Sequence, residues 1–201
     1  MNLFSKSSEF IELPLADATV IYYPALFNSD VAKAYFEKIL NETTWREDDI
    51  TVFGKTYKQP RLTALFADNG LPYSYSNIVM HPDKFSSTLA TIKTEVEKIC
   101  QHTFTTCLAN LYRYGSDSNG WHADDEKELG KQPVIASVSL GETRKFQLKH
   151  KLNKELKYQL KLPSGSLLVM KGTTQEFWKH QVPKTKLEVK PRINLTFRTI
   201  I

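Results

Sequence analysis

Two histidines and one aspartate in this chain have the residue types and the order of a metal-binding triad. His122 and Asp124 are two positions apart, and on an extended segment residues i and i+2 point to the same side. His180 comes much later in the chain and must reach the same point from another strand or loop. Two imidazoles and one carboxylate can occupy one face of an octahedral metal ion and leave the opposite face open, which is typical of iron sites that activate dioxygen.

The last part of the chain carries polar side chains at every second position. They are Arg192, Asn194, Thr196 and Arg198. The intervening residues are apolar, so we expect a strand with one core face and one polar face. Two buried arginines would be costly without anionic partners, and guanidinium groups hold carboxylates through paired hydrogen bonds. A dicarboxylate such as 2-oxoglutarate would satisfy both arginines, and Asn110 and Tyr112 show the same spacing on an earlier segment.

Each of these features also has a plainer interpretation. Taken singly, His122 is more often a surface histidine on a polar loop, and His180 a hydrogen-bonded core histidine. The arginine segment could be a solvated edge strand. The combination of the triad with two arginines in this chain order favours a metal and co-substrate site over three unrelated explanations.

The bulk properties indicate one soluble domain with a basic surface. The chain has 201 residues and a net charge of +5, which favours a polyanionic partner without identifying it. Cys100 and Cys107 are the only cysteines, too few for a disulfide framework. No apolar stretch is long enough for a membrane span and the start lacks a signal-peptide pattern. We therefore expect a monomer in the cytoplasm, or in the nucleus of a nucleated cell, with no membrane partner.

The hydrophobic pattern predicts an α+β protein. A first helix is expected from an N-cap at Ser29 or Asp30 to about Leu40, and a second along the apolar face from Phe85 to Ile99, with Pro82 in its first turn. Residues 45–66 are typical of short strands around a turn at Gly54. Further short strands are expected over 108–114, 134–140, 145–150, 157–162, 166–170 and 193–199, with a turn at 163–165. Such a series is typical of a β-sandwich or a jelly roll. With helices earlier in the chain, we expect a double-stranded β-helix (jelly-roll) core with those helices on one outer face.

Six segments extend the triad and the arginine strand into longer motifs. They are NLYRYG (Asn110–Gly115), WHADDE (Trp121–Glu126), IASVSLG (Ile135–Gly141), SGSLLVM (Ser164–Met170), WKHQVP (Trp178–Pro183) and PRINLTFR (Pro191–Arg198). From about Asp48 to its end, the chain resembles the AlkB family of Fe(II)/2-oxoglutarate-dependent dioxygenases, which repair alkylated nucleobases. It looks closest to the branch of homologues that prefers duplex DNA.

The resemblance implies a single dioxygenase domain over residues 1–201. Residues 1–90 would be an N-terminal extension and a nucleotide-recognition hairpin lid, and residues 91–201 the catalytic jelly roll. The iron would be held by the triad, with dioxygen at its open position. The residues implied for 2-oxoglutarate are Asn110, Tyr112, Arg192, Asn194 and Arg198. Arg192 and Tyr112 would bind the distal carboxylate, and Arg198 would lie near the metal-chelating end.

The resemblance also implies a site for the damaged base. Tyr73 and Tyr75 would contact the flipped base, with Tyr75 stacked on one face and His122 near the other. Glu126 would favour positively charged lesions such as 1-methyladenine and 3-methylcytosine, because a carboxylate in a pocket of low dielectric attracts them. Phe53, at the tip of a hairpin, would fill the gap that the flipped base leaves in duplex DNA. The plainer alternatives are packing roles for the tyrosines and for Phe53.

The function implied is oxidative demethylation of N-alkylated bases in DNA, with release of formaldehyde, succinate and CO2. Lysines could contact the phosphates, although a solvated face is the more common explanation for a charge run. They are Lys145, Lys149, Lys151, Lys154, Lys157, Lys161, Lys184, Lys186 and Lys190. The alternatives are the same chemistry on RNA, a protein or a small molecule, and a non-catalytic module that binds nucleic acid or senses 2-oxoglutarate.

Overall fold

Two antiparallel β-sheets face each other at the centre of the fold. The computed structural model of the chain describes residues 9–52, 55–70, 73–75 and 78–200, with residues 50–52, 73–75 and 78–79 described by their backbone alone. The larger sheet consists, in spatial order, of β1 (Ile11–Glu12), β2 (Thr19–Tyr23), β13 (Ser166–Lys171), β10 (Ile135–Gly141), β15 (Arg192–Arg198), β8 (Thr106–Tyr112) and β5 (Leu62–Ala67). The smaller sheet consists of β12 (Lys157–Leu162), β11 (Arg144–His150), β14 (Trp178–Val182) and β9 (Asn119–His122).

Alternation along β15 shows how the sequence builds the layers. Ile193, Leu195 and Phe197 are fully buried in a core with the helices. The polar residues between them point to the opposite side, towards the smaller sheet, because successive side chains alternate across a strand. A second apolar core fills the rest of the space between the sheets and includes Phe146 and Trp178. The polar face predicted for this strand is therefore inside the protein rather than on a solvated edge.

Helices α1 (Ser29–Glu42) and α2 (Ser87–Cys100) cover the outer face of the larger sheet. The structure corrects both predicted starts. The N-cap of α1 is Asn28, whose Oδ1 accepts a hydrogen bond from the Val31 amide at 3.0 Å. The N-cap of α2 is Ser86, so Phe85 and Pro82 precede the helix. A cap that accepts from a first-turn amide defines where a helix begins more sharply than its apolar face does.

Two strands of the smaller sheet were not predicted. Strand β9 is four residues long and contains Gly120, which weakens the strand pattern. Strand β14 alternates correctly, but His180 occupies one of its buried positions, so the apolar period is incomplete. Strand β2 has no counterpart among the predicted strands either. The remaining predicted strands are present with ends shifted by one or two residues.

Two small hairpins stand apart from the main sheets. The first pairs β3 (Asp49–Val52) with β4 (Lys55–Lys58), and the second pairs β6 (Tyr73–Tyr75) with β7 (Ile78–Met80). The predicted turn at Gly54, and Phe53 beside it, lie outside the described residues. The predicted boundary near residue 90 is not a break in the larger sheet, since β1, β2 and β5 belong to it.

Short helical segments and side-chain chemistry complete the description. A 3-10 turn spans Lys127–Leu129, and α3 spans Thr174–Phe177 immediately before β14. Cys100 and Cys107 are free, and burial raises the pKa of the Cys100 thiol to about 12. Among the described residues, no helix has the length and apolar character needed to cross a membrane.

The turn before β13 has no room for a side chain. Gly165 has φ +82°, and a Cβ added there would lie 2.3 Å from the Phe27 carbonyl oxygen. The Gly165 amide donates a hydrogen bond to the Ser139 carbonyl oxygen at 2.8 Å, and the Gly165 carbonyl oxygen accepts one from the Phe27 amide at 3.0 Å. The predicted turn at 163–165 therefore joins three segments of the fold through one glycine.

We predict that Gly165→Ala lowers the free energy of unfolding by about 3 kcal/mol or more, because backbone strain and a backbone clash act together. Gly70→Ala is the matched control: Gly70 also has a positive φ, +64°, but a Cβ there would meet nothing within 4 Å. Strain alone should cost about 1 kcal/mol at that position. Urea denaturation of both variants measures the difference, and equal losses would contradict the packing role.

Candidate metal and co-substrate site

The folded chain brings the three predicted metal ligands together. His122 is the last residue of β9, and Asp124 follows two positions later. His180 lies on the neighbouring strand β14, directly opposite His122 in the sheet register. The nitrogen and oxygen atoms that these side chains can offer to a metal all lie within 4.8 Å of one another. The three residues thus form a compact site that a single metal ion could bridge.

All three side chains are in the protonation state that a metal needs. Burial alone would raise the pKa of Asp124, but the Arg198 guanidinium and the two imidazoles outweigh it and hold that pKa at about 2. Burial, followed by the neighbouring His122, lowers the pKa of His180 to about 3. Burial also lowers the pKa of His122. The site therefore presents one carboxylate and two neutral imidazoles at neutral pH, and metal ligands must be deprotonated in this way.

Hydrogen bonds fix how the ligands are oriented. Nδ1 of His122 lies 2.7 Å from the Gly120 carbonyl oxygen. Because a carbonyl only accepts, Nδ1 carries the proton and Nε2 keeps a lone pair. The ring of His180 is stacked on Phe146, with centroids 5.3 Å apart. Arg198 Nη2 donates to Asp124 Oδ1 at 2.7 Å, while the other carboxylate oxygen lies 3.9 Å from His180 Nε2.

Gln175, which the sequence did not indicate, holds the backbone of Asp124 in position. Its side-chain Oε1 accepts a hydrogen bond from the Asp124 amide at 2.9 Å, and Gln175 is almost fully buried. The Gln175 backbone carbonyl in turn accepts from Lys151 Nζ at 2.8 Å, and the same ammonium contacts Asp125 at 3.0 Å. Its position five residues before His180 in the chain was the available signal, but nothing in that spacing indicates a contact with Asp124.

A single pocket connects the triad with the polar face of β15. Of the predicted co-substrate residues, Asn110, Tyr112, Asn194 and Arg198 line it together with the triad. Its remaining walls are Leu108, Asn119, Ser137, Phe146, Met170, Val182 and Thr196. These walls mix apolar and hydrogen-bonding groups, as expected of a site that must bind a polar ligand and exclude water.

Arg61 is a second residue that sequence reasoning missed. It is buried, and its Nε donates to Asn110 Oδ1 at 2.8 Å, while Nη1 reaches the Ser118 carbonyl oxygen at 3.4 Å. The Asn110 amide nitrogen makes only a long contact, to the Leu108 carbonyl oxygen at 3.5 Å, so it keeps a donor for the pocket while the amide oxygen is engaged by Arg61. Arg61 therefore determines which end of the Asn110 amide a ligand would meet.

Asn194 lines the pocket but is largely used within the protein. Its Nδ2 donates to Ser137 Oγ at 2.7 Å and to the Val138 carbonyl at 3.1 Å. Its Oδ1 accepts from Thr196 Oγ1 at 3.0 Å. These bonds brace β10 against β15, and the predicted contact of Asn194 with a co-substrate stays a prediction.

Arg192 is a buried cation with unused donors. It is 1% exposed, and its Nη2 donates to Ser139 Oγ at 2.9 Å. Nε and Nη1 have no hydrogen-bond partner among the described residues. Burial, with a contribution from the nearby Arg144, lowers the pKa of Arg192 to about 10. The ring of Tyr112 lies 5.2 Å from this guanidinium. Buried donors of a charged group call for an anion, so a carboxylate fits here.

The structure describes the residues predicted to contact the base only in part. Glu126 is half-buried and precedes the 3-10 turn, and it is not among the residues that line the pocket. Tyr73 and Tyr75 begin and end β6, but their side chains are outside the described part of the chain, as is Phe53. Their roles remain predictions.

We predict that Gln175→Leu weakens divalent metal binding by 10-fold to 100-fold, a typical loss for residues that orient ligands. The change keeps most of the side-chain volume but removes the acceptor for the Asp124 amide. Titration of the metal-free protein with Co²⁺, followed by its visible spectrum, measures the affinity without turnover. Gln181→Leu is the matched control, because Gln181 faces the other side of the smaller sheet. Equal affinities for both variants would remove this role.

Comparison with known proteins agrees with this geometry. Residues 19–198 match the model of the 2OG-Fe(II) oxygenase superfamily. The chain is 40% identical over 196 residues to human alpha-ketoglutarate-dependent dioxygenase alkB homolog 3, covering 93% of this chain and 68% of the relative. It is 35% identical over 189 residues to human DNA oxidative demethylase ALKBH2, covering 89% and 72%. The two identities are close, so they do not test the predicted place of this chain within the family.

A solved structure supports the fold independently of the motifs. The structure of OsALKBH1 superimposes with a TM-score of 0.68 over 95% of this chain and all of that chain, at 17% sequence identity. At such low identity the match concerns the fold alone, and it confirms the predicted double-stranded β-helix core. The family model, the curated relatives and the fold together show that this chain belongs to the AlkB family of Fe(II)/2-oxoglutarate-dependent dioxygenases.

Proposed function

We propose that this protein is an oxidative demethylase that repairs N-alkylated bases of the 1-methyladenine and 3-methylcytosine type in DNA. One observation carries the oxygenase part. The carboxylate of the triad is bonded to Arg198, on the strand that also carries Arg192 with its unused buried donors. The strand that carries the anion site therefore also contacts the metal site, and both sites face the space between the sheets.

His122, Asp124 and His180 would hold Fe(II), since their donor set and protonation states fit that metal. Bound iron, with 2-oxoglutarate and O2, supplies the decarboxylation to succinate and CO2 and the oxidation of an N-methyl group that leaves as formaldehyde. The protein contributes orientation and a water-poor pocket between the two sheets.

The co-substrate would lie between the triad and the buried arginine. Arg192 and Tyr112 would bind its distal carboxylate, for which Nε and Nη1 of Arg192 are available. Arg198, fixed by Asp124, would neutralise charge near the metal end. Asn110 would donate its amide to the same ligand, because Arg61 already occupies the amide oxygen.

DNA is the substrate that several features favour together. One curated relative is named a DNA oxidative demethylase, and the net charge of +5 suits a polyanion. Tyr73 and Tyr75 would contact the flipped base, with His122 near its other face. Glu126 would favour a positively charged lesion over a neutral base. RNA, or a protein or small molecule, is the alternative substrate, and a non-catalytic module is the alternative of another class.

We predict that the purified protein, given Fe(II), ascorbate and 2-oxoglutarate, removes the methyl group from a single 1-methyladenine in a DNA oligonucleotide. Mass spectrometry follows the loss of the methyl group, on matched RNA as well. His122→Ala and Asp124→Ala should abolish turnover while circular dichroism shows the fold is kept. Turnover of 2-oxoglutarate without demethylation would keep the oxygenase and discard this substrate. Absence of both would support the non-catalytic module.

We also predict that Phe53→Ala slows repair in duplex DNA more than in a single strand, by about 10-fold for each ~1.4 kcal/mol that the wedge contributes to the cost of unstacking a base. Matched single- and double-stranded oligonucleotides bearing the same lesion give the ratio. Tyr57→Ala, at an exposed position on the second strand of the same hairpin, is the control. Equal losses on both substrates would assign Phe53 a packing role.

A further inference from the structure

The outer face of the smaller sheet carries lysine and glutamine at every outward position of three neighbouring strands. The cross-strand register forms rungs, because residues directly opposite each other share a face. The rungs are Lys157–Lys149–Lys179, Gln159–Gln147–Gln181 and Lys161–Lys145. We call this set the lysine–glutamine face. It contains five lysines and three glutamines and no acidic residue.

This arrangement is unfavourable within the protein alone. Side chains directly opposite each other on a sheet lie about 5 Å apart, and like charges at that spacing are destabilising. Three lysines in one rung therefore repel one another across β12, β11 and β14. In the part of the chain that the structure describes, none of the five forms an ion pair, whereas Lys151 just beyond them contacts Asp125. A solvated face would tolerate carboxylates between the lysines, and this face has none.

The middle rung and the edge strand add groups suited to a nucleic acid. Gln181 Nε2 donates to Gln147 Oε1 at 2.7 Å, which places a bonded pair of amides between the lysines. Trp121, on the edge strand β9, is 37% exposed and shares a shallow groove with Gln147, Lys157 and Gln159. Lys149 lies over its ring, with Nζ 4.3 Å from the centroid. Cations and neutral amides beside an exposed aromatic ring are typical of surfaces that follow a sugar–phosphate backbone.

The lysine–glutamine face and the candidate metal site lie on opposite sides of the same sheet. Lys179 and His180 are consecutive on β14, so they point to opposite sides of the same sheet. Strand β9, which ends at His122, is the edge strand next to β14. A chain that leaves the pocket beside β9 would therefore reach the lysine–glutamine face by passing around this edge, where Trp121 lies. Bases inside the pocket cannot touch the face, so contact there involves only flanking nucleotides.

We propose that the lysine–glutamine face binds the phosphate backbone of the nucleic acid beyond the target nucleotide, independently of its sequence. This inference rests on the proposed function for the identity of the polyanion. It adds a second binding surface, outside the pocket, which would make affinity depend on substrate length. An anionic membrane carries the same sign of charge, but the amide rung and the exposed tryptophan favour a nucleic acid.

The test measures binding of an unmodified 30-nucleotide DNA, single-stranded and duplex, by fluorescence anisotropy at several salt concentrations. The variant K149Q/K157Q/K179Q removes the complete lysine rung. Each phosphate contact contributes about 0.7 to 0.9 to the slope of log affinity against log salt, so the slope should fall by about 2 to 3. K33Q/K38Q/K98Q removes the same charge from exposed positions on α1 and α2 and should leave the slope as in the wild type.

The outcomes separate this proposal from the proposed function. Equal slopes for the two triple variants would overturn the face as a nucleic-acid surface. K149R/K157R/K179R keeps the charge and should retain the slope; loss in that variant as well would overturn the electrostatic explanation. Binding of the wild type to phosphatidylserine vesicles but not to DNA would assign the face to a membrane. Because these measurements need no turnover, an absence of demethylation would count against the proposed function alone.

Discussion

The buried contact between Arg198 and Asp124 is the interaction on which the candidate site depends. Both side chains are almost inaccessible to solvent, and 2.7 Å separates the guanidinium from the carboxylate. Breaking such a pair by removing one partner typically costs about 3–5 kcal/mol, because a charge is left buried without compensation. The contact attaches the end of β15 in the larger sheet to the segment that follows β9 in the smaller one. It therefore links the two sheets at the point where the predicted metal ligands meet.

The same contact determines the chemistry of the triad. A buried carboxylate would ordinarily be driven towards its neutral form, yet the pKa of Asp124 is held at about 2, chiefly by Arg198. The carboxylate then helps two neutral imidazoles to form a donor set for a cation. Gln175 secures the backbone of Asp124, so both the side chain and the main chain of this residue are fixed before any metal binds. Such preorganisation is what allows a three-residue site to hold a metal in one geometry.

Burying a layer of polar side chains between two sheets costs free energy unless they form hydrogen bonds, and most of these side chains bond to one another. Ser137, Asn194 and Thr196 hydrogen-bond to one another across β10 and β15, and Arg61 engages Asn110. Arg192 differs, since two of its donor groups remain without partners among the described residues. The unpaired donors of a buried guanidinium beside a pocket have the form of a binding site, because an external carboxylate would remove the cost of burying them.

The sequence by itself determined the alternation of β15, the types and order of the metal ligands, the turn at Gly165 and the general α+β class. These depend on local periodicity, on backbone conformation and on side-chain chemistry, all of which can be inferred from a short stretch of sequence. Only the tertiary structure decided that His122 and His180 occupy one rung, that Gln175 and Arg61 support the site, and that five lysines share one outer face with three glutamines. Those facts arise from the pairing of strands far apart in the chain, and the register of such pairs is set by packing that no local pattern contains.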